Sequence, residues 1–369
     1  MNIFLFLVIL VVLILVHEFG HFVVAKKAGI RVDEFGVGFP PKLFGKKYGE
    51  TEYTLNALPL GGFVKIFGEN PDEESLRGPD SARSFVHKPK LIQAAVLVAG
   101  VGFNMLLAWV LLSTGFMVGM PTLVDEENRA DVKNPMLTIV EVVPHSPAEI
   151  AGLALGDKIV SLSATDLRID KPTPTEVTEF ISLYGEKPIT VEIISALSKE
   201  NSSVVIEPVV GLIPEEPERK AIGIAMGMQG TVSYLPPRAI YEGGAMTVRL
   251  LSAITIALGG FFASAVTLSA DFSQIAGPVG IVGLVGDAAA LGIIPLLIFT
   301  SVISLNLAII NLLPFPALDG GRLLFVVIEA IKGSPIRPQI ANLVNTLGFA
   351  LLILLMLLVT YYDIVRLLT

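Results

Sequence analysis

The chain has no cysteine, one tryptophan and four histidines in 369 residues. Without cysteine there are no disulfides, no thiol catalysis and no cysteine-ligated zinc; compartment stays open. Charge is also scarce. Only 16% of residues are charged and 53% are hydrophobic, whereas a soluble protein carries about a quarter charged residues. That deficit argues for a membrane protein. The net charge is −8 and there is no basic run, which argues against nucleic acid as a partner.

Two of the four histidines fall in one motif, His17-Glu18-Phe19-Gly20-His21. On a helix, residues four apart share a face. Both imidazoles can then grip one zinc ion, with Glu18 placed as general base. Residues 3–16 are uninterrupted apolar, and Phe22–Ala25 resume the run after the motif. A cleaved signal peptide would need a basic start and a small-residue cleavage site, and neither precedes His17. A retained helix over 1–27 is expected, about 20 residues being enough to cross a bilayer. Lys26, Lys27 and Arg31 follow it, so its end is expected in the cytoplasm. The other two histidines, His87 and His145, lie in polar stretches and are expected to be solvated.

The rest divides by composition. Residues 28–90 are rich in glycine, aromatic and β-branched residues. Glu52–Leu55 and Phe63–Ile66 read as short strands joined by a turn at Pro59-Leu60-Gly61-Gly62, and 69–90 as a solvated loop. Residues 91–124 carry no charge and read as a second span. Residues 128–237 have soluble-like composition and read as one extracytoplasmic domain. Three uncharged stretches follow, 250–270, 288–318 and 338–362. For 288–318 to bring its end to the depth of His17, it must run in the same direction as the first helix. A full span at 250–270 would invert it, so 238–287 is expected to be interfacial or re-entrant. Four spanning helices follow, with both termini outside.

Zinc needs a third protein ligand. Asp319 ends the 288–318 run within Asn311-Leu312-Leu313-Pro314-Phe315-Pro316-Ala317-Leu318-Asp319-Gly320-Gly321, where prolines and glycines break the helix. An ionisable residue at membrane depth is expensive and usually functional, so Asp319 is the expected ligand. The alternative is a cap for a following helix, Arg322–Ile331.

His17–His21 together with Asn311–Gly321 resemble the site-2 protease family of intramembrane zinc metalloproteases, peptidase family M50. The similarity is greatest to its bacterial RseP-type branch, which carries a PDZ insert. Tyr53–Lys65 is similar to that family's membrane-associated β-loop, and Gly277-Pro278-Val279-Gly280-Ile281 resembles another family segment. The resemblance implies a polytopic α-helical membrane protein with a β-loop and an inserted α+β PDZ domain. It also implies one zinc held by His17, His21 and Asp319, catalysis by Glu18, and substrate handling at Asn311, Pro314 and Pro316. The family often has a proline in the second helix where Ala99-Gly100-Val101-Gly102-Phe103-Asn104 has none. Asn104 is expected either to hydrogen-bond substrate or oxyanion or to make a helix–helix bond.

Val140–Val160 looks like the PDZ pattern of bacterial proteases, for which peptide or C-terminus binding and a steric filter are both open. The expected substrate is a single-span membrane protein, such as a trimmed anti-sigma factor or a remnant signal peptide, in a bacterial inner membrane. A strand at 53–58 or 63–67 could pair with the unwound substrate, Gly61 and Gly62 allowing close approach. A non-catalytic zinc-binding chaperone or receptor is the alternative class; the intact Glu18 speaks against it. A zinc transporter would need several polar residues along a path, and only one cluster is present.

Overall fold

The computed structural model describes residues 2–126, 128–165, 167–213, 216–267 and 276–368. They fall into two compact units, Met1–Thr114 with Ile240–Thr369, and Gly115–Ala239.

In the first unit, α1 is Asn2–Lys27. Its apolar run has to satisfy its own backbone in lipid, and a helix does so. Its length, about 39 Å at the usual rise, exceeds a hydrocarbon core of about 30 Å. Ile9, Leu13, His17, Gly20 and His21 are buried along one face. At its polar end Lys26 Nζ pairs with Glu50 Oε1 at 2.5 Å, and Arg83 joins the same carboxylate.

The next elements are β1, Val32–Tyr48, and β2, Thr51–Ile66. The chain turns at Gly49-Glu50, with Gly49 at φ +63°. The expected turn at Pro59–Gly62 is therefore corrected: these residues lie inside β2. The pairing explains why. Glu34–Val37 of β1 has Lys65–Gly62 on one edge and Glu52–Leu55 on the other. Pro59–Gly62 is the bend that carries β2 from one edge of β1 to the other, so both rows of β1 main-chain groups gain partners.

The expected solvated loop at 69–90 is also corrected. Helix α2, Glu73–Arg77, is capped by Asp72 in a reciprocal bond with Ser75. Phe85 packs with Ala25, Ile30, Ile66 and Val96 in a buried cluster. Helix α3 is Lys90–Val118. The expected second span ran to 124, but Gly119 takes φ +146° and Met120–Leu123 is strand β3.

The second unit is an antiparallel sheet. Its strands are β3, β4 (Lys133–Val142), β5 (Lys158–Ala164), β6 (Leu167–Asp170), β7 (Ile189–Ile194), β8 (Asn201–Ile206) and β9 (Ile224–Val232). The order is β3-β9-β4-β5-β7-β8, with β6 paired to β5. Short α4, Pro147–Ile150, is capped by Ser146. Helix α5, Pro174–Tyr184, begins in a capping box between Thr173 and Glu176. Phe180 joins Leu137, Ile159, Leu162, Ile189 and Ile206 in the core. Gly152 at φ +83° stops α4, and Asp157 accepts from Ala154 N and Ala196 N.

The first unit resumes with α6, Pro236–Val266. This helix covers the first part of 238–287, expected to be interfacial or re-entrant. Residues 250–267 are the second half of one long helix and its end, and 268–275 lie outside the described residues. Pro236–Ser264 is long and apolar enough to cross a membrane, as are Asn2–Lys27, Lys90–Val118, Ile293–Leu312 and Pro338–Val365. By length and composition the described residues thus hold five candidate spans, against the four expected.

Then come α7 (Pro278–Leu291), α8 (Ile293–Leu312), α9 (Asp319–Lys332) and α10 (Pro338–Leu368). Residues 288–291, expected at the start of the third span, belong to α7. Leu5, Phe6, Ile9 and Leu13 of α1 share an apolar cluster with Leu296, Phe299, Ile303 and Leu307 of α8 and Val285 of α7. The Gly277–Ile281 motif gains a physical reason. Asp363 of α10 is buried and accepts from Gly277 N at 3.0 Å and Gly280 N at 2.8 Å. It thereby caps α7. A Cβ on Gly277 would lie 2.6 Å from that carboxylate.

Candidate metal centre

His17 and His21 lie one turn apart on the buried face of α1. Asp319 is the first residue of α9, and its Oδ2 stands 2.9 Å from His17 Nε2 and 3.2 Å from His21 Nε2. The two Nε2 atoms are 3.2 Å apart. Ligand atoms on a tetrahedral zinc, with bonds of about 2.0–2.1 Å, are about 3.3 Å from one another. The triangle formed by the three side chains is close to one face of that tetrahedron. Among the described residues this is the one group of three or more such side chains that could hold a metal.

The tautomer of His21 is set by its surroundings. Its Nδ1 lies 2.8 Å from the carbonyl of Val96 on α3. A carbonyl only accepts, so Nδ1 carries the proton and Nε2 presents its lone pair to the centre. Asn104 of α3 lies with Nδ2 3.3 Å from His17 Nδ1, while its Oδ1 is buried without a partner. Turning the amide by 180° puts Oδ1 on His17 Nδ1–H, which pairs the orphan atom and frees His17 Nε2 for a metal. Both histidines then present the atom a zinc ion requires, and the donor set fits the group.

Small residues let α3 come this close. A Cβ on Gly20 would lie 2.5 Å from the carbonyl oxygen of Ala99. A Cβ on Gly100 would lie 2.4 Å from His21 Nε2 and 2.7 Å from the His17 ring.

Asp319 is placed by the loop between α8 and α9. Phe315 N donates to Leu313 O at 2.7 Å and Leu318 N to Phe315 O at 3.2 Å. Gly320 and Gly321 lie under this fold: a Cβ on either would come within 2.2 Å of a loop carbonyl oxygen. The capping alternative for Asp319 fails, because Leu318 is the N-cap and no side chain caps the helix. Helix α9 also starts three residues earlier than the expected Arg322.

A cavity of about 220 Å³ opens onto the centre, lined by Ile14, His17, Glu18, Leu307, Asn311, Ala317, Leu318 and Asp319. Glu18 is held by the β-loop, its Oε2 accepting from Val64 N at 3.1 Å.

The profile of peptidase family M50 matches residues 5–355. The chain belongs to peptidase family M50. A protein of Clostridium perfringens assigned as a zinc metalloprotease is 36% identical over 358 residues, 96% of this chain and 95% of its own. The zinc metalloprotease RasP of Geobacillus kaustophilus is 31% identical, covering 97% of this chain and 96% of its own. The regulator of sigma-W protease RasP of Bacillus subtilis is 30% identical, covering 98% of each.

In this M50 chain the structure brings His17, Glu18, Asn311 and Asp319 to one cavity, with His21 Nε2 3.2 Å from both His17 Nε2 and Asp319 Oδ2. Other expected residues sit elsewhere. Asn104 is fully buried beside His17, its Nδ2 3.3 Å from His17 Nδ1, and is not among the residues that line this cavity. Gly61 and Gly62 are buried against α1, a Cβ on Gly62 lying 3.3 Å from Leu15. They allow the β-loop to approach α1 rather than facing an open groove. Pro316 packs on Gly348 of α10, and Pro314 is exposed. His87 Nδ1 lies 2.8 Å from Ser81 O at an exposed position. Sequence reasoning missed Val64, whose main-chain N–H has no signature. It also missed Gly100, although a glycine in an apolar helix four residues before an asparagine was a usable sign.

Proposed function

We propose that this chain is an intramembrane zinc endopeptidase. The reading is carried by one observation: two helix-borne imidazoles and a carboxylate from the start of α9 converge within 3.2 Å, with a glutamate lining the adjoining cavity. Zinc bound by His17, His21 and Asp319 would supply Lewis-acid polarisation of the scissile carbonyl and of the attacking water. Glu18 takes the proton from that water and returns it to the leaving amide nitrogen. Val64 N–H keeps the Glu18 carboxylate from swinging away. Asn104 and the Val96 carbonyl hold the two imidazoles in the tautomers the centre needs.

The substrate is the membrane segment of a single-span protein, an anti-sigma factor or a remnant signal peptide being candidates. A spanning helix must unwind before its amides can be cut, because unpaired backbone groups in lipid are costly. Lys26, Lys27 and Arg31 support a centre near the cytoplasmic face. The sheet unit then lies outside the cell membrane, and its Ser146–Asp157 segment, a capped short helix followed by a turn, supports a PDZ reading. On β9, the edge that carries β3 at Gln229–Val232 has no strand at Ile224–Gly227 among the described residues. A groove of about 210 Å³ there includes Ile181, Ile222, Ile224 and Met226, suited to an added peptide strand. The test is cleavage of a single-span substrate by the purified protein in liposomes. Chelation should abolish cleavage and stoichiometric zinc should restore it; cleavage that survives full zinc removal overturns the reading.

A further inference from the structure

We propose that Asn345, on α10, is a positioning residue for the Asp319 carboxylate, acting through the backbone of Ala317. The inference rests on the reading of His17, His21 and Asp319 as the metal site.

Ala317 has φ +70°, the left-handed region that non-glycine residues rarely adopt. Such a conformation persists only where its surroundings over-determine it. The bonds of Phe315, Leu318 and Gly321 in this loop are all to nearby loop carbonyls. Ala317 differs: its N–H donates to Asn345 Oδ1 at 3.3 Å, across 28 residues. One turn further on, Gly348 brings the α10 backbone onto the same loop. A Cβ there would lie 2.4 Å from Pro316 Cβ and 2.8 Å from Pro316 O. Two neighbouring positions on one face of α10 therefore grip two consecutive loop residues.

The grip lies close to the metal site in space and in sequence. Ala317 lines the cavity containing His17, Glu18 and Asp319. It also lines a second cavity, with Arg322, Asn345, Thr346 and Phe349. It is the wall between the α10 side and the metal side, two residues before Asp319. Without Asn345, Ala317 relaxes toward negative φ and shifts the start of α9, which carries Asp319 away from the imidazoles. An amide in a membrane helix is retained where it has a partner to hold. Here the partner is a strained main-chain N–H.

The experiment measures zinc retention by chelator competition on the full-length protein in detergent, alongside kcat and KM on a single-span substrate. Asn345→Ala is expected to weaken zinc retention about tenfold and lower kcat by a similar factor, with KM within about twofold. Asn345→Asp keeps the acceptor and is expected to stay within about threefold of wild type. Ala317→Gly removes the strain, since glycine takes this φ freely. In that background Asn345→Ala should lower zinc retention less than about threefold. Thr346→Ala, whose hydroxyl bonds its own helix at Asn342 O, should change nothing and controls for damage to α10. The inference is overturned if Asn345→Ala retains zinc as wild type does, or loses the same factor with and without Ala317→Gly. It is equally overturned if Asn345→Asp loses as much as Asn345→Ala. His17→Ala separates the two levels. If it holds zinc as tightly as wild type, the metal-site reading itself fails, whatever Asn345 does.

Discussion

Glu18 Oε2 accepts the main-chain N–H of Val64 at 3.1 Å. The proposed general base stands on α1 and is hydrogen-bonded from β2, so in the proposed mechanism this strand helps to orient the base. Val64 spends this N–H on Glu18 rather than on the ladder with β1, and a proline there removes one specific bond. Val64→Pro should lower kcat about 10- to 100-fold, against a general-base contribution of 10²–10⁴, with zinc content unchanged. Val64→Ala keeps the N–H and should retain activity. Equal activity in the two variants would sink this role for Val64.

Two glycines of α3 should respond in opposite ways. At Gly100 an added Cβ meets the ring atoms of both histidines, while at Gly102 nothing lies within 4 Å. Gly100→Ala should weaken zinc retention at least about tenfold, since changes to groups that touch metal-binding imidazoles typically cost 10- to 100-fold. Gly102→Ala should leave zinc retention unchanged and, if anything, stabilise the helix by about 0.5–1 kcal/mol. Chelator competition on both proteins checks this; equal zinc retention would remove the packing argument.

Asp363 links α10 to α7 far from the metal. Asp363→Ala leaves the N–H groups of Gly277 and Gly280 without their acceptor, a loss of roughly 3–6 kcal/mol for two bonds to a carboxylate. Thermal unfolding in detergent should drop by several degrees while zinc stoichiometry stays at one. An unchanged unfolding temperature would mean the cap contributes nothing.

The three residues of the candidate metal centre were legible because each rests on a local signal. His17 and His21 show a helical spacing, and Asp319 is an isolated charge among helix breakers at the end of an apolar run. The loop that presents Asp319 was legible in outline too, through Gly320 and Gly321. What lies between elements was not. Asn104 has the sequence context of a substrate contact, yet it faces His17, because which side of α3 meets α1 depends on the small residues Ala99 and Gly100. The bend at Pro59–Gly62 reads as a hairpin turn locally and becomes a crossover only because β1 takes partners on both edges. The interfacial reading of 250–270 came from the direction required of 288–318, and that argument carries no information on where the helix begins; the structure starts it at Pro236. Asn345 is one polar residue in an apolar helix, and only the left-handed Ala317 shows what it holds.

The account turns on Glu18 as the base of a zinc peptidase, and the direct test is Glu18→Gln, which keeps the shape and removes the basic carboxylate. The protein is reconstituted with a single-span substrate, and zinc content and cleavage are measured on the same sample. Zinc should remain at one per chain, because the proposed ligands are His17, His21 and Asp319, and cleavage should fall by about 10²- to 10⁴-fold. Zinc retained with cleavage at the wild-type rate would contradict the mechanism.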